Sequence, residues 1–239
     1  MVIAMRILGI DSSGLVASAA VLSEETVAAE FTVNNKQTHS QTLLPMLDEV
    51  VKYSGIALEE LDAIAVAAGP GSFTGLRIGA ATVKGLGLVL DKPIIPVPTL
   101  EGMAYQLAGS DGLICPIMDA RRNQVYTGVY RVNDGELMTV ARQCAMDIHD
   151  LLHVLAEHSD KVHFLGDGVP VYHDVIQTEL SNEYHFAPAH LSRQRAAAVA
   201  VLGMKYYRQG KKVTAAQYSP VYLRKSQAER ERENRLNEN

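Results

Sequence analysis

The sequence predicts an α/β protein of two similar lobes, each with a mixed sheet in the element order βββαβα. Strand and helix patterns follow this order twice, and each copy's first strand ends in an aspartate, Asp11 and Asp119. A length of 239 residues, of which 47% are hydrophobic, suffices for two packed lobes of about 100 residues each. We therefore expect a first lobe over residues 1–104 and a second over residues 105–225, related by duplication of the fold.

Short apolar runs separated by turn residues predict an antiparallel meander at the start of the first lobe. A later run of small and β-branched residues, 62–68, predicts a strand that is buried on both faces. The predicted strands of this lobe are residues 6–11, 15–22, 26–33, 62–68 and 93–97.

Three helices are predicted in the first lobe, at residues 39–53, 76–90 and 100–107. Pro45 lies inside the first and should kink it or delay its start. The second is apolar almost all round, with Arg77 and Lys84 as its charges. A helix without a polar face must be covered on both sides, either by its own domain or by a partner.

The second lobe repeats the pattern. Asn133-Asp-Gly135 is a strong hairpin signal between two of its strands. The chain ends in alternating Arg and Glu at residues 226–239, which predicts a solvated helix or a disordered tail. The second lobe's predicted strands are residues 113–119, 124–131, 137–145 and 162–165, and its helices 148–156, 171–180 and 193–207.

Composition limits the cellular setting and the partners. The formal net charge is −5, and an acidic chain does not hold a phosphate backbone unaided. Cys115 and Cys144 do not form a Cys-x-x-Cys pair, so we expect two reduced thiols in the core. No signal-type segment or long apolar run occurs, which predicts a soluble, cytoplasmic protein without a membrane partner.

The segment Gly69-Pro-Gly-Ser-Phe-Thr-Gly-Leu-Arg77 runs from a strand through glycines into a helix. Such a junction presents backbone N–H groups and the positive helix end to an anion. It lacks the Gly-Lys-Ser/Thr ending of a Walker A loop, and its sixth position is Thr74 where the dinucleotide fingerprint has Gly. Two interpretations stay open, an anion site or a glycine turn required for packing. The candidate anion-binding residues are Gly69, Gly71, Ser72 and Thr74.

Two further turns carry polar groups after a strand. The turn Asp11-Ser12-Ser13-Gly14 offers an acid and two hydroxyls, but it is also an ordinary turn sequence. The turn Gly166-Asp167-Gly168 follows the strand at residues 162–165. We include Asp11, Ser12, Ser13, Gly166, Asp167 and Gly168 among the candidate nucleotide-binding residues.

No catalytic or metal-binding set stands out. His149-Asp-Leu-Leu-His153 places two histidines on one helical face, as in zinc peptidases with His-Glu-x-x-His. Asp150 stands where those enzymes have the general-base Glu, and no third ligand follows. A surface helix explains the pattern. No Gly-x-Ser-x-Gly elbow occurs either.

Several segments together resemble one family. Met5-Arg-Ile-Leu-Gly-Ile-Asp-Ser-Ser13 is similar to its first strand and turn, and Gly69-Pro-Gly-Ser-Phe-Thr-Gly-Leu-Arg-Ile-Gly79 to its signature loop. Met118-Asp-Ala-Arg-Arg-Asn-Gln-Val-Tyr126 is similar to its second-lobe strand entry, and Pro220-Val-Tyr-Leu-Arg224 to a later landmark. The chain thus resembles the TsaB (YeaZ) family over about residues 5–224.

The resemblance implies a two-lobed actin-like ATPase (ribonuclease H-like) fold. In that superfamily, a turn like the one that starts at Asp11 faces the nucleotide phosphates. TsaB proteins bind TsaD, which transfers a threonylcarbamoyl group to adenosine 37 of tRNAs reading codons that begin with A. TsaE completes the complex. The resemblance therefore implies tRNA contact through the complex and no cofactor for this subunit, with ATP or ADP at the complex.

The resemblance to TsaD bears on catalysis. Where TsaD carries His-Met-Glu-Gly-His, whose two histidines bind the catalytic metal, this chain has Thr99-Leu-Glu-Gly-Met103. Thr99 is a poor neutral ligand and Met103 is a soft thioether, unsuited to a hard oxygen-handling metal. We therefore expect a subunit without metal chemistry that is not an enzyme on its own.

Without catalysis, the expected role of this subunit is to bind partner proteins through its surface. We expect the helices at residues 39–53 and 76–90 to pack against their TsaD counterparts, or to form a homodimer when TsaD is absent. Two alternatives stay open, an actin-fold kinase or ATPase and an M22-type metallopeptidase. The expected interface residues are Leu43, Leu47, Val50, Leu76, Gly79, Val83 and Leu86.

Overall fold

The computed structural model describes residues 4–35 and 37–224, which form two five-stranded mixed sheets with six helices. The predicted tail at residues 226–239 lies outside the described residues. The strands are β1 (Arg6–Asp11), β2 (Ala17–Ser23), β3 (Thr26–Val33), β4 (Ala63–Ala67), β5 (Ile94–Val97), β6 (Leu113–Asp119), β7 (Gln124–Asn133), β8 (Glu136–Asp147), β9 (Val162–Leu165) and β10 (Tyr184–Phe186). The helices are α1 (His39–Ser54), α2 (Phe73–Val89), α3 (Thr99–Tyr105), α4 (Ile148–Ala156), α5 (Val169–Glu179) and α6 (Ala196–Arg208).

The first sheet has the order β3-β2-β1-β4-β5. Strands β1 to β3 form the predicted antiparallel meander, whereas β4 pairs with β1 and β5 in parallel. Every residue of β4 is buried, because helices cover both faces of the sheet. On one face, Val66 packs with Val50 of α1 and Val83 of α2.

The second sheet, β10-β9-β6-β7-β8, repeats this arrangement. Strands β6 to β8 are an antiparallel meander, and β9 and β10 extend the sheet in parallel. Helices α4 and α5 cover one face, where Leu151 and Ile176 pack on Phe164. The duplicated βββαβα prediction is confirmed, with Asp11 and Asp119 ending the equivalent strands β1 and β6. Strand β10 was missed because it is three residues long and only partly buried.

Helices α3 and α6 form a layer between the two sheets. Helix α6 packs on the first sheet through Val199 and Leu202, and α3 packs on the second through Leu100 and Met103. The two helices meet where Gly102 faces Val199. The two lobes therefore share one continuous apolar layer.

The C-terminal part of the chain returns to the first lobe. Helix α6 lies on the first sheet, Val213 bridges to Ile94 of β5, and Tyr218 is buried in the first core. The assignment of residues 105–225 to the second lobe therefore needs correction from Ala196 onward. Sequence order placed this segment in the second lobe, whereas its apolar contacts lie with first-lobe strands about 100 to 200 residues earlier in the chain.

Two helix predictions are also corrected. Helix α1 begins at His39 with Pro45 inside it, so the later start was wrong. Helix α2 begins at Phe73, because Ser72 caps it by accepting the N–H of Gly75. Within residues 4–35 and 37–224 nothing covers the outer side of α2, where Val89 is 85% exposed, so the chain itself buries only one face.

No helix in the described ranges combines the length and apolar character needed to cross a membrane.

A glycine in α6 sets the distance between that helix and the first sheet. A Cβ on Gly203 would overlap the Cβ of Ala65 on β4. We therefore expect Gly203→Ala to lower the free energy of unfolding by about 1 to 3 kcal/mol, as overpacking does. Urea denaturation would measure it.

Gly85 of α2 provides the matched control, because a Cβ there would meet nothing within 4 Å. Gly85→Ala should raise the free energy of unfolding by about 0.4 to 1 kcal/mol. Equal midpoints for the two variants would contradict the close approach of α6 and β4.

Candidate functional site

The site begins at Asp11, the last residue of β1, whose side chain is buried. Its Oδ1 accepts hydrogen bonds from the backbone N–H of Ser13 at 2.9 Å and from the Ser13 hydroxyl at 2.6 Å. Burial raises the pKa of this carboxyl from 3.8 to about 6, although the Ser13 hydrogen bonds and nearby His39 oppose the rise. Asp11 thus shapes its own turn rather than projecting into solvent.

The Asp11 turn packs backbone against backbone with the glycine-rich loop. The N–H of Ser72 donates to the carbonyl of Ser13 at 2.7 Å, and the Ser12 hydroxyl donates to the carbonyl of Gly75 at 2.9 Å. A Cβ on Gly71 would overlap the carbonyl oxygen of Ser13, and one on Gly75 that of Ser12. The glycines are therefore required for close packing.

The other side of the loop contacts two further segments. Gly69 has φ 119°, and a Cβ there would overlap the carbonyl oxygen of Val221. The N–H of Val221 donates to Ala68 at 2.7 Å, and Tyr222 stacks on Phe73 with ring centroids 4.5 Å apart. The C-terminal segment therefore crosses the loop and leaves little room above it.

Three N–H groups of this loop are committed to protein oxygens. Gly69 donates to Thr99 Oγ1 at 3.1 Å, Ser72 to Ser13, and Gly75 to Ser72 Oγ at 3.3 Å. The Thr74 residue is exposed. Of the two open interpretations, this geometry favours the packing turn over an anion cradle.

The second-lobe candidates lie around Asp119. Gly166 has φ 111°, with Arg193 Nη1 donating to its carbonyl at 2.6 Å. Asp167 Oδ1 accepts the N–H of Asp119 at 3.3 Å, and burial raises the Asp167 pKa. The Gly168 N–H donates to the carbonyl of Ile117 at 3.0 Å. These contacts tie the end of β9 to the end of β6.

Sequence reasoning missed Gln194, which is 1% exposed and lies against Gly14. Its Nε2 has no hydrogen-bond partner within the ranges that the structure describes. Its position depends on contacts between segments about 180 residues apart, so no local pattern marked it.

The sequence marks the segment between β6 and β7 through the family resemblance, but its backbone conformation was missed. Arg121, Arg122 and Asn123 have φ angles of 65°, 58° and 58°, in the left-handed region. Non-glycine residues cost about 1 to 2 kcal/mol each in this conformation. The signal available in the sequence was the pair of arginines that follows Asp119 and Ala120.

Comparison with known proteins gives three findings. A family model described as TsaD, tRNA N6-adenosine threonylcarbamoyltransferase, matches residues 26–232. The tRNA threonylcarbamoyladenosine biosynthesis protein TsaB of Bacillus subtilis is 37% identical over 228 residues, 94% of this chain and 96% of that protein. The TsaB of Escherichia coli is 30% identical over 230 residues, 94% of this chain and 96% of that protein. The chain belongs to the TsaB family.

The structural comparison agrees. YeaZ from Pseudomonas aeruginosa superposes with a TM-score of 0.80 and 27% sequence identity, covering 92% of this chain and all of that one. The predicted two-lobed actin-like ATPase fold is therefore confirmed for this TsaB-family chain. By contrast, the threonylcarbamoyltransferase of Novosphingobium aromaticivorans matches over 68 residues, 28% of this chain and 19% of that protein.

In this TsaB-family chain, both positions that the resemblance places opposite the metal-binding histidines of TsaD, Thr99 and Met103, are buried in the fold. Thr99 is fully buried, its N–H donates to the carbonyl of Gly69 at 2.9 Å, and its hydroxyl accepts the Gly69 N–H. Met103 is 1% exposed and packs in the apolar layer between α3 and the second sheet.

The expected interface residues require correction. Leu43, Leu47, Val50, Leu76 and Val83 are buried in the first lobe's own core, on the sheet-facing sides of α1 and α2. Gly79 is buried too, and its Cβ would lie 2.5 Å from Ser12 Oγ, so Gly79→Leu would disturb the Asp11 turn. Leu86 is partly buried against the same core. Apart from Leu86, these residues are buried and therefore inaccessible to a partner.

The histidine pair on α4 does not assemble a metal site. His149 Nδ1 lies 2.7 Å from Glu179 of α5, whose hydrogen bond raises the His149 pKa, and His153 is exposed. Residues 4–35 and 37–224 contain no group of three His, Cys, Asp or Glu side chains placed to hold a metal.

The two cysteines are free. Burial raises the pKa of Cys115 to about 12, which suits an unreactive core thiol. Cys144 is only partly buried, so the core prediction holds for Cys115 alone.

The raised pKa of Asp11 has a consequence for stability. The folded chain retains this proton up to about pH 6, whereas the unfolded chain releases it near 3.8. The stabilising contribution of the protonated carboxyl is therefore fully present below pH 3.8 and is lost as the pH rises through about 6. The pKa difference corresponds to a decrease of about 3 kcal/mol in the free energy of unfolding. Asp11→Asn should thus stabilise the chain more at pH 7 than at pH 4, as measured by urea denaturation.

Asp174 serves as the control, because its side chain is 99% exposed. Asp174→Asn should show no comparable dependence on pH. If the Asp11→Asn effect were the same at both pH values, the buried, protonated carboxyl would be excluded.

Proposed function

We propose that this chain is the non-catalytic subunit of the complex that adds a threonylcarbamoyl group to N6 of adenosine 37 in tRNAs reading ANN codons. It acts by binding TsaD. The observation that carries the proposal is the use of Thr99 and Met103 as packing residues. At the positions of the two TsaD histidines, one side chain fastens the glycine-rich loop and the other fills the core.

The chemistry of these two positions supports a role without metal catalysis. A hydroxyl that already accepts a buried N–H and a thioether surrounded by apolar side chains do not ligate a hard metal ion. Glu101, which the resemblance shares with TsaD, accepts a hydrogen bond from the Tyr206 hydroxyl of α6. It therefore contributes to packing of the layer between the sheets.

The surface that fits TsaD is the outer side of α1 and α2, opposite the core. We define the outer helix face by Leu44, Ala81, Gly85, Leu88 and Val89. Leu44 is 60% exposed and Leu88 68% exposed, and Ala81 and Gly85 are also exposed. Small residues permit close approach of another helix, and flanking apolar side chains provide area to bury. A helical bundle with the counterpart helices of TsaD would cover this face.

The other partners follow from this role. The proposed complex includes TsaE, and tRNA is reached through the complex because the chain's net charge is −5. When TsaD is absent, the outer helix face would join two copies of this chain. The subunit requires no cofactor of its own, ATP or ADP acts at the complex, and the work is done in the cytoplasm.

Reconstitution tests the central claim. TsaD, TsaE, the threonylcarbamoyl-adenylate donor and tRNA should give modified adenosine only when this chain is added, measured by mass spectrometry of the digested nucleosides. Full activity in its absence would remove the proposal. Micromolar ATP–Mg binding with phosphoryl transfer by the isolated chain would favour an actin-fold kinase instead.

Substitutions at two glycines of α2 should affect TsaD binding and folding separately. Gly85→Arg places a long charged side chain on the outer helix face and improves helix propensity by about 1 kcal/mol, so TsaD capture should fall while the melting temperature holds. Copurification and thermal melts would measure both.

Gly79→Leu is the inward-facing counterpart on the same helix, and it should lower the melting temperature because Ser12 lies against it. Undiminished TsaD capture by Gly85→Arg would exclude the outer helix face.

A further inference from the structure

The turn between β6 and β7 combines an unfavourable backbone with two arginines. We call residues 120–123, with sequence Ala-Arg-Arg-Asn, the arginine turn. Arg121, Arg122 and Asn123 are all left-handed, with φ of 65°, 58° and 58°. Glycine or asparagine adopts this conformation readily, but arginine does not. Turn geometry alone therefore favours other residues at 121 and 122, which indicates that the guanidinium groups themselves have a use.

Four hydrogen bonds hold the backbone of the arginine turn in place. The N–H of Arg121 donates to Asp119 Oδ1 at 2.9 Å, and its carbonyl accepts the N–H of Gln124 at 3.2 Å. The carbonyl of Asn123 accepts the N–H of Ile148 at 2.9 Å. Arg224 of the C-terminal segment donates to the carbonyl of Ala120 at 2.6 Å. The two arginine side chains therefore extend from a backbone that these hydrogen bonds hold in place.

The charges at the arginine turn face outward. The Arg121 side chain is 87% exposed, with Nη1 3.3 Å from Asp119 Oδ2. Arg122 is exposed and, among residues 4–35 and 37–224, has no hydrogen-bond or ion-pair partner. The Asp119 carboxylate is only 13% exposed and also accepts the Tyr172 hydroxyl at 3.4 Å. With Arg224 alongside, three arginines outnumber the two carboxylates at the ends of β6 and β8, Asp119 and the partly exposed Asp147, on a chain of net charge −5.

The shape of this positive site selects its ligand. A guanidinium group binds a phosphate through two parallel N–H donors, and it stays charged at every physiological pH. Side chains that are mostly exposed at the tip of a turn do not enclose a small anion. They can contact an extended chain of phosphates, where each arginine neutralises one group.

We propose that the arginine turn contacts the phosphate backbone of the tRNA substrate when this chain is bound to TsaD. The inference rests on the proposed function, because the acidic chain does not hold RNA by itself and the complex must present the tRNA. Two arginines contribute to positioning the RNA rather than to recognising its sequence.

The double variant Arg121→Asn/Arg122→Asn tests the proposal in the assembled complex with TsaD. Asparagine accepts the left-handed conformation, so the variant should melt no lower than the original chain while both charges are removed. Its tRNA affinity, measured by fluorescence anisotropy at several salt concentrations, should fall at low salt. The slope of log affinity against log salt should become shallower by about 0.7 to 0.9 per lost phosphate contact.

Two further variants complete the design. Arg208→Asn removes an exposed arginine of α6 that pairs with Glu24 at 2.9 Å, and it should leave the salt slope unchanged. Arg121→Lys/Arg122→Lys keeps the charge and should retain the slope. If the asparagine variant melts lower, the lysine variant still decides, because a loss of slope with charge retained would overturn the proposal.

The remaining outcomes are also decisive. Unchanged affinity and slope in the asparagine variant, with the TsaD complex intact, would overturn the arginine-turn contact and leave the proposed function standing. Binding of inorganic phosphate to the original chain alone that is lost in the asparagine variant would indicate a small-anion site. Lost TsaE capture by the asparagine variant at unchanged tRNA affinity would indicate an acidic protein partner. Either result would overturn the proposal. Failure of the original chain to bind TsaD would overturn the proposed function and this inference with it.

Discussion

The backbone contact between the Asp11 turn and the glycine-rich loop sets the geometry of the first lobe. Ser13 accepts the N–H of Ser72, and the carbonyl of Ser12 lies where a Cβ of Gly75 would be. Two backbones approach this closely only when one of them has no side chain. The contact fixes the start of α2 at the end of β1. The same junction that suggests an anion site in the sequence is therefore packed closely against protein.

The orientation of α2 follows from that contact. Once its first turn is fixed on the Asp11 turn, Leu76, Gly79 and Val83 face the sheet, whereas Ala81 and Gly85 face away. The glycines of one helix thus have two uses. On the buried side, the missing side chain of Gly79 lets the helix approach Ser12. On the exposed side, the missing side chain of Gly85 leaves a shallow surface that another helix can approach.

The second lobe uses similar strand ends for a different purpose. Gly166 packs tightly against Ile117, as the first-lobe glycines pack against Ser12 and Ser13. At the β6–β7 turn, however, the left-handed positions carry Arg121 and Arg122 instead of glycine. A residue that costs conformational free energy and makes few contacts within the chain is explained by what its side chain does outside it. One lobe thus offers an apolar helix face and the other an exposed pair of positive charges.

The sequence by itself determined the order of elements, the equivalent aspartates at Asp11 and Asp119, and the family, because these depend on local periodicity and on motifs. Only the tertiary structure decided which side of α2 is buried, since a helix that is apolar almost all round has no polar face to mark the solvent side. It also decided that α6 and Val213 belong to the first lobe and that Gln194 lies beside Gly14. These placements depend on contacts between residues far apart in the chain, which no local pattern records.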